Sequence, residues 1–292
     1  MALLFALILD HLLGEPPVRF HPVVWMGRYL GWALRKLPAG NRQAFRSGAI
    51  LWLLGATAAA SVGIVLHRAV AVLPSFAVAG LEGFLLWPLL SLRLLTQEVA
   101  GVESALGEGI EAGRERLSRI VSRDTTHLTP GEVRESALES LSENLTDSVT
   151  APLFWFLLGG LPGALVYRFA NTADAMWGYR DHREWFGKFA AHADDALNWI
   201  PARLTGLLLC PSRLWGRLEE ESHSTPSPNG GWTMGALALR LGVRLGKPGV
   251  YTLNPDGLEP EAEHTRIAIA ACRRVAWIAA AVLAVLWWCF HA

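Results

Sequence analysis

Residues 48–66 read GAILWLLGATAAASVGIVL, a run of nineteen positions without a charged side chain. A helix rises about 1.5 Å per residue, so about 20 apolar residues cross the apolar core of a bilayer, which is about 30 Å thick. The run therefore predicts a membrane-spanning helix. The composition agrees, because 52% of the 292 residues are hydrophobic and only 18% are charged, which excludes a disordered chain. Lys+Arg and Asp+Glu both number 26, and this neutral balance argues against a nucleic-acid partner.

Other apolar segments extend this pattern along the chain. In one of them, Glu82 and the helix-disturbing residues Pro74, Gly83 and Pro88 predict interruptions. Strand signals are scarce, so we predict an all-α fold: a polytopic integral membrane helical bundle that forms one membrane-embedded domain over residues 1–292. The apolar segments lie at about 1–13, 48–66, 69–92, 149–167 and 275–290.

The segment 149–167 needs its own interpretation, because the sequence GGLPG at 159–163 would break a helix in its middle. We expect a re-entrant or broken helix there rather than one clean span. A re-entrant segment would leave the polar segments 93–148 and 168–274 on the same side of the membrane, whereas a full span would separate them. We favour the first arrangement, because the chemistry below needs both polar segments together.

The acidic stretch 130–150 carries the clearest functional signal. Thr129 is a helix N-cap, followed by Pro at the first helical position and Glu at the third, so we predict a helix from Pro130 to about Thr150 that ends before Pro152. Carboxylates four residues apart would form a stripe about 120° wide on it, and like charges at this spacing repel. The stripe is either a solvated acidic face or a site for a hard cation such as Mg²⁺. Its members are Glu135, Glu139, Glu143 and Asp147, with Asn144 beside them.

Further carboxylates and amides follow at helical spacing. Asn171 and Asp174 lie three residues apart, as do Asp195 and Asn198, which places each pair on one helix face. Basic residues lie among and after these pairs, an alternation that suits a phosphate–metal site or, equally, a set of interhelical salt bridges. The candidate residues of this region are Asn171, Asp174, Arg180, Asp194, Asp195, Asn198 and Arg203.

Two isolated candidates complete the set. His21 follows a turn-like segment and is either an acid–base group or a structural histidine. Asn229 begins the sequence Asn-Gly-Gly-Trp, a turn whose backbone amides could hold an anion or simply connect two elements. Neither a Walker A loop nor a Rossmann glycine motif is present, and the three cysteines show no metal-binding spacing.

Taken together, the motifs resemble the CobD/CbiB family, the adenosylcobinamide-phosphate synthases of cobalamin biosynthesis. The resemblance covers nearly the whole chain, with Glu15 standing where an Asp is expected. The matching motifs are Asp10…Gly14-Glu15-Pro16…His21-Pro22-Val23…Met26-Gly27, Arg123-Asp124-Thr125, Glu139…Glu143-Asn144…Asp147…Ala151-Pro152-Leu153-Phe154, Asn171-Thr172…Asp174-Ala175-Met176…Gly178-Tyr179, Asp194-Asp195…Asn198…Pro201-Ala202-Arg203-Leu204-Thr205, Ser227-Pro228-Asn229…Gly231-Trp232 and Lys247-Pro248-Gly249…Tyr251…Leu253-Asn254.

The resemblance implies a multi-pass enzyme of the inner (cytoplasmic) membrane. Such enzymes join adenosylcobyric acid to (R)-1-amino-2-propanol phosphate, or to the free aminoalcohol, through an amide bond, and ATP with Mg²⁺ is expected to drive the reaction. The implied partners are these small molecules and membrane lipid. The sequence leaves open contacts with other late cobalamin-pathway enzymes and a homo-oligomer.

The resemblance also suggests roles for single residues. We expect Glu139, Glu143, Asp147, Asp174, Asp194 and Asp195 to bind the metal and the nucleotide phosphates, with catalysis drawing on Glu143, His21 and Asp147. Glu143 or His21 would accept the proton of the attacking amine. Substrate and nucleotide binding is assigned to Arg123, Asp124, Asn144, Asn171, Arg180, Asn198, Arg203 and Asn229.

Two other functional classes remain open from the residues alone. A membrane transporter or scaffold for the corrinoid, without catalysis, would also show buried charges and a broken segment. A membrane phosphotransferase would use a carboxylate-bound metal but would give a phosphodiester rather than an amide.

Overall fold

A computed structural model describes the backbone of residues 1–291 and their side chains apart from those of 75–76 and 290–291. All regular elements of the described chain are helices except for one two-stranded hairpin, which confirms the all-α prediction. It divides into two compact units that interleave in sequence. Unit 1 comprises residues 1–91, 147–198 and 280–292, and unit 2 comprises 92–146 and 199–279. The two units do not test whether residues 1–292 form one membrane-embedded domain, which stays a prediction.

Unit 1 is built from apolar helices of 12 to 31 residues. They are α1 (Ala2–Leu13), α2 (Pro22–Leu34), α3 (Asn41–Ala71), α4 (Ser75–Leu86), α8 (Ala151–Trp177) and the start of α9 (Glu184–Leu209). Glycines let α3 approach its neighbours closely: a Cβ on Gly55 would lie 2.2 Å from the Phe169 ring, and one on Gly63 would lie 2.5 Å from the Pro162 backbone. Close approach over small residues is typical of helices packed in a membrane.

Helix α8 is broken where the sequence predicted it. Gly160 has φ 59° and ψ −152°, a conformation that only glycine adopts readily, and Pro162 follows it. The chain also bends sharply here, because a Cβ on Gly163 would lie 2.4 Å from the carbonyl oxygen of Trp155. Residues eight apart in a straight helix are about 12 Å apart along the axis. The break confirms the prediction of a broken helix within 149–167.

Unit 2 contains shorter helices and the hairpin. Its elements are α5 (Leu92–Glu108), α6 (Ile110–Leu117), α7 (Pro130–Leu145), the end of α9, α10 (Trp215–Ser222), α11 (Gly230–Leu241), β1 (Leu245–Lys247), β2 (Tyr251–Leu253) and most of α12 (Ala262–His291). Helix α7 packs on α5, α6, α11 and β1. It is the central element of the site described below.

The start of α7 was predicted correctly and its end was not. The Thr129 side chain accepts from the Glu132 amide and the Glu132 carboxylate accepts from the Thr129 amide, so the capping box is complete. Instead of continuing to Thr150, however, α7 ends at Leu145 and passes through a π-helical turn at 146–150 into α8. Pro152 does not stop the helix, because it lies in the first turn of α8, where no intrahelical donor is needed.

The apolar segments correspond to helices long enough for a membrane. Among the described residues, the stretches Asn41–Ala71, Ala77–Glu108, Pro130–Trp177 and Ala262–Cys289 are long and apolar enough to cross one, and Ala2–Leu13 is a shorter apolar helix. The segment 69–92 is not a single element, because α3 ends at Ala71 and α4 follows Pro74. Glu82 is buried and pairs with His67, 2.9 Å from its Nδ1 atom. The protein is therefore a polytopic helical membrane protein.

Candidate functional site

The first carboxylates of the α7 stripe are buried and paired. Glu135 is only 4% exposed and Glu139 only 2%. Arg244 lies 3.1 Å from Glu135 Oε1, and the Nη2 atom of Arg123 lies 2.6 Å from Glu139 Oε2. A solvated acidic face is thereby excluded for these two residues, whereas Glu143 is exposed. Two basic neighbours offset the repulsion that the spacing predicts.

Arg123 donates to only one of the two Glu139 carboxylate oxygens, Oε2. Its Nη1 atom donates to Ser136 Oγ at 2.9 Å and to the carbonyl of Gly246 at 3.4 Å, so the guanidinium is held from three directions. The other oxygen, Glu139 Oε1, is buried and has no hydrogen-bond partner among the described residues. A buried acceptor left unsatisfied costs about 1–3 kcal/mol, so such an atom points to a bound molecule.

The hairpin places two further polar side chains beside Glu139. Lys247 and Tyr251 are paired across the strands, joined by Pro248, Gly249 and Val250. The Val250 amide donates to the Lys247 carbonyl at 2.9 Å, and Gly249 has φ 72°. Proline followed by a glycine with positive φ is the signature of a type II turn, which fixes the register of the hairpin.

A cavity of about 340 Å³ lies between α7, the hairpin and the loop before α11. Because Glu143 and Val250 on its lining are exposed, the cavity opens to the surface of unit 2. Burial raises the pKa of the Tyr251 phenol, and the neighbouring Glu139 carboxylate adds to the shift, so Tyr251 is a hydrogen-bond donor at neutral pH. The polar lining consists of Ser122, Arg123, Ser136, Glu139, Ser140, Glu143, Asn144, Thr225, Ser227, Lys247 and Tyr251.

The loop before α11 forms one wall of this cavity. Ser227 Oγ accepts from the amides of Asn229 at 3.2 Å and Gly230 at 3.1 Å, which orders the turn predicted at Asn229. A Cβ on Gly230 would lie 3.3 Å from Glu143 Oε1, so glycine leaves room for that carboxylate. On the facing helix, Asn144 donates to the Ser140 carbonyl at 2.9 Å.

Arg203 holds this loop from outside the cavity lining. It donates to Asn229 Oδ1 at 3.2 Å and to the carbonyl of Trp199 at 2.7 Å. Its guanidinium stacks on Trp199 and Trp232, at 4.2 and 5.1 Å from the ring centroids. These contacts make Arg203 a positioning group for Asn229, and its role as a phosphate clamp stays a prediction.

The carboxylates of the cavity lining offer few ligands for Mg²⁺. Within the part of the chain that the structure describes, no group of three or more His, Cys, Asp or Glu side chains could hold a metal ion. Mg²⁺ usually takes only one or two carboxylates and completes its octahedron with water and substrate phosphate oxygens. Since Arg123 already occupies Glu139 Oε2, Glu143 is the lining carboxylate that fits a metal–phosphate pair. Magnesium therefore fits the cavity only together with a phosphate ligand and stays a prediction.

Unit 1 holds a second group of predicted residues. Asp194, on α9, is 8% exposed and accepts from the Asn198 amide at 3.1 Å and the Asn171 amide at 3.4 Å. Tyr167 donates to Asn198 Oδ1 at 2.8 Å. Burial raises the pKa of Asp194, and the nearby Asp174 carboxylate raises it further. Asn198 therefore pairs with Asp194, four residues before it on α9, and the predicted pairing of Asp195 with Asn198 stays a prediction.

Another polar group of unit 1 contains His21. Its Nδ1 atom accepts from the Val23 amide at 3.3 Å and caps α2, so Nε2 carries the proton and donates to Glu15. Ser91 donates to the other Glu15 oxygen. Hydrogen bonds from His21 and Ser91 hold the pKa of Glu15 low against the effect of its burial. Both ring nitrogens are engaged, which disfavours His21 as the proton acceptor.

The remaining predicted residues lie apart from these groups. In unit 1, the Asp147 carbonyl accepts from Tyr167 and Arg168, and Asp195 lies close enough to Asp174 to interact with it electrostatically. Arg180 is exposed in the loop after α8. In unit 2, Asp124 is exposed and accepts from the Thr126 amide at 2.9 Å, and its hydrogen bonds to Thr126 lower its pKa.

Sequence reasoning missed the two hairpin side chains of the cavity. Lys247 and Tyr251 belong to a motif that the resemblance had picked out, but neither was assigned a role. The serines of α7 carried no signal of their own. In unit 1 it also missed Tyr167, whose hydroxyl bonds to the Asp147 carbonyl and to the Asn198 side chain.

The fold and these sites define a polytopic helical membrane protein with a charge-lined polar cavity. The family described as CobD/Cbib protein matches residues 3–279. The chain is 44% identical to a probable cobalamin biosynthesis protein CobD of Methanothermobacter thermautotrophicus, over 89% of each chain. It is 41% identical to the corresponding protein of Pyrococcus abyssi, over 90% of this chain and 88% of the relative.

A bacterial relative gives the same result. The chain is 40% identical to the cobalamin biosynthesis protein CobD of Brucella anthropi, over 84% of this chain and 81% of the relative. No solved structure matches the chain. The chain belongs to the CobD/CbiB family and thus to cobalamin biosynthesis.

Proposed function

We propose that the protein is a carbon–nitrogen ligase that joins adenosylcobyric acid to (R)-1-amino-2-propanol phosphate, or to free aminopropanol, at the expense of ATP. The product is adenosylcobinamide phosphate or adenosylcobinamide. The observation that carries the proposal is the cavity of unit 2, where Arg123 and Lys247 stand beside Glu139 and Glu143. This mixture of charges suits a reaction that brings phosphates, a carboxylate and an amine together.

The proposed chemistry follows from the poor leaving group of a carboxylate. An oxygen of adenosylcobyric acid attacks the γ-phosphorus of ATP, the bond to ADP breaks and an acyl phosphate forms. The neutral amine then attacks the acyl carbon, inorganic phosphate leaves, and a carboxylate of the protein accepts the amine proton. Bound Mg²⁺ would neutralise phosphate charge, with Glu143 as its protein ligand in the cavity. Lys247 would neutralise further phosphate charge.

The test is a defined assay on the full chain purified in detergent. Adenosylcobyric acid, aminopropanol phosphate, ATP and Mg²⁺ are combined, each is omitted in turn, and mass spectrometry identifies the corrinoid product. We expect adenosylcobinamide phosphate only in the complete mixture. Glu143→Gln should lower turnover about a hundredfold or more. The matched control is Glu111→Gln on α6, whose side chain is 83% exposed. Failure of folded wild-type protein to form the amide would refute the proposal.

The break in α8 supports one alternative, a corrinoid transporter without catalysis. Helices interrupted in mid-segment, as at Gly160, often form substrate sites in transporters. Uptake of adenosylcobyric acid into sealed vesicles containing the protein, without formation of an amide, would favour this function. A phosphodiester product would instead indicate a phosphotransferase.

A further inference from the structure

Two groups of opposite charge in the cavity of unit 2 lack partners. Glu139 is only 2% exposed, and its Oε1 atom accepts no hydrogen bond from any side chain that the structure describes. Among the described residues, none forms an ion pair or hydrogen bond with the Lys247 ammonium, although Lys247 interacts with Glu139 at longer range. The cavity therefore presents an acceptor and a separate cation to the same small volume.

The size of the cavity limits what can occupy it. Its volume of about 340 Å³ is at the low end of the range for ligand pockets, about 300–1,000 Å³. A corrin macrocycle with its nucleoside ligand is too large to enter, so the corrinoid could present no more than a side chain there. A compact molecule with a nitrogen donor at one end and an anion at the other would satisfy both unpartnered groups.

We propose that Glu139 and Lys247 form the subsite for the aminoalkyl phosphate, with Glu139 Oε1 accepting from the nitrogen and Lys247 binding the phosphate. The proposal rests on the function proposed above and names the residues that recognise its small substrate. It makes Lys247 the residue that distinguishes a phosphorylated amine from the free aminoalcohol.

The surrounding contacts support this assignment. Arg123 holds Glu139 Oε2 and leaves only Oε1 for a ligand, so the orientation of the carboxylate is set before the substrate arrives. Oε1 is then placed to take the amine proton as the carbon–nitrogen bond forms and phosphate leaves the acyl carbon. Tyr251, protonated and adjacent to Glu139, donates to Met234 Sδ at 3.6 Å, a weak contact beside the carboxylate.

The same contacts argue against the triphosphate of ATP as the ligand of Glu139 and Lys247, and Glu143 stays the predicted residue for metal-bound phosphate. ATP has no cationic end, so its phosphates would satisfy Lys247 but leave Glu139 Oε1 unpaired and facing negative charge. Burying an anion beside an uncompensated carboxylate is unfavourable.

The test is calorimetric binding to the full chain in detergent, without ATP or corrinoid. The probes are (R)-1-amino-2-propanol phosphate, free aminopropanol and 2-propyl phosphate, which lacks the nitrogen. We expect each truncated probe to bind about tenfold to a hundredfold more weakly than the intact one. Lys247→Gln should weaken binding of the intact probe to the level of free aminopropanol. Lys36→Gln, an exposed lysine just after α2, should leave all affinities unchanged.

The outcomes separate this inference from the proposed function. Equal binding of the intact probe and 2-propyl phosphate by wild-type protein would remove Glu139 from recognition, without any variant that could misfold. An unchanged preference for the phosphorylated amine in Lys247→Gln, or a loss of ATP binding instead, would overturn the role of Lys247 even if the amide is formed. Lys247-dependent binding by a protein that forms no amide would support the subsite and refute the ligase.

Discussion

The buried ion pair between Arg123 and Glu139 allows a quantitative test of what holds the cavity together. The Glu139 side chain is 3% exposed and that of Arg123 is 15% exposed. Arg123→Met would leave the carboxylate buried without its cation, which is expected to lower the free energy of unfolding by about 3–5 kcal/mol. The double variant Arg123→Met/Glu139→Met removes both charges together. It should recover most of that loss, because apolar side chains of similar volume often replace a buried ion pair at little cost.

The assay is equilibrium unfolding of the full chain in mixed detergent, followed by the fluorescence of its tryptophans. The matched control is Arg266→Met. Arg266 pairs with Glu263 at 2.6 Å, but the two side chains are 78% and 54% exposed. An exposed pair contributes about 0–1 kcal/mol, so this variant should unfold almost as the wild type does.

Two results would refute the reasoning. If Arg123→Met costs no more than Arg266→Met, the carboxylate is not buried as described. If the double variant is as unstable as the single one, the loss comes from packing of the arginine stem rather than from an uncompensated charge. We expect the double variant to be stable and inactive, which would separate the structural role of the pair from its functional one.

Three further predictions concern other parts of the chain. Thr129→Ala removes the capping box of α7 and should lower stability by about 0.5–2 kcal/mol in the same unfolding assay; no change would mean that the cap is dispensable. Gly163→Ala should destabilise the break in α8 by about 1–3 kcal/mol, because the new Cβ would lie 2.4 Å from a backbone carbonyl. Gly159→Ala, where nothing lies within 4 Å, should be neutral, and equal effects of the two would exclude the close approach. For Asp194, burial raises the pKa from 3.8 to about 7, with Asp174 adding to the shift. The folded state then holds the proton longer than the unfolded state, so stability should fall from about pH 4 to pH 7, and Asp194→Asn should flatten this profile; an identical pH profile for the variant would contradict the assignment.

The helical framework could be predicted because its signals are local. The uncharged run at 48–66 lies within α3, the capping residues at Thr129 start α7, and the glycines and proline at 159–163 break α8. The end of α7 could not be predicted in the same way. A proline stops a helix or begins one according to its position, and the π-helical turn before Pro152 places it at a beginning.

The candidate site could be predicted only in part, because its partners are remote in sequence. The spacing of Glu135 and Glu139 showed that they share a helix face, but their cations come from Arg244 and Arg123, outside α7. Lys247 reaches the cavity through a hairpin that is three residues long on each side. Such short strands have no detectable periodicity, and only the Pro-Gly turn between them leaves a mark in the sequence.

The separation of the predicted carboxylates into two units changes the interpretation of their chemistry. In unit 2, Glu139 and Glu143 line a cavity that also contains Arg123 and Lys247, so anionic substrate groups can be held beside acidic ones. In unit 1, Asp194 accepts from the amides of Asn171 and Asn198 and lies near a second carboxylate. A phosphate bound beside these two carboxylates would meet repulsion, because Asp194 is held by amides while Arg168 donates to Asn171 Oδ1. The six metal and phosphate ligands suggested by the sequence therefore fall into two groups, and we predict phosphate chemistry for the group of unit 2, where Arg123 and Lys247 line the same cavity as the carboxylates. We therefore expect the amide-forming step of the proposed reaction in unit 2 and a separate, proton-holding role for the buried Asp194 of unit 1.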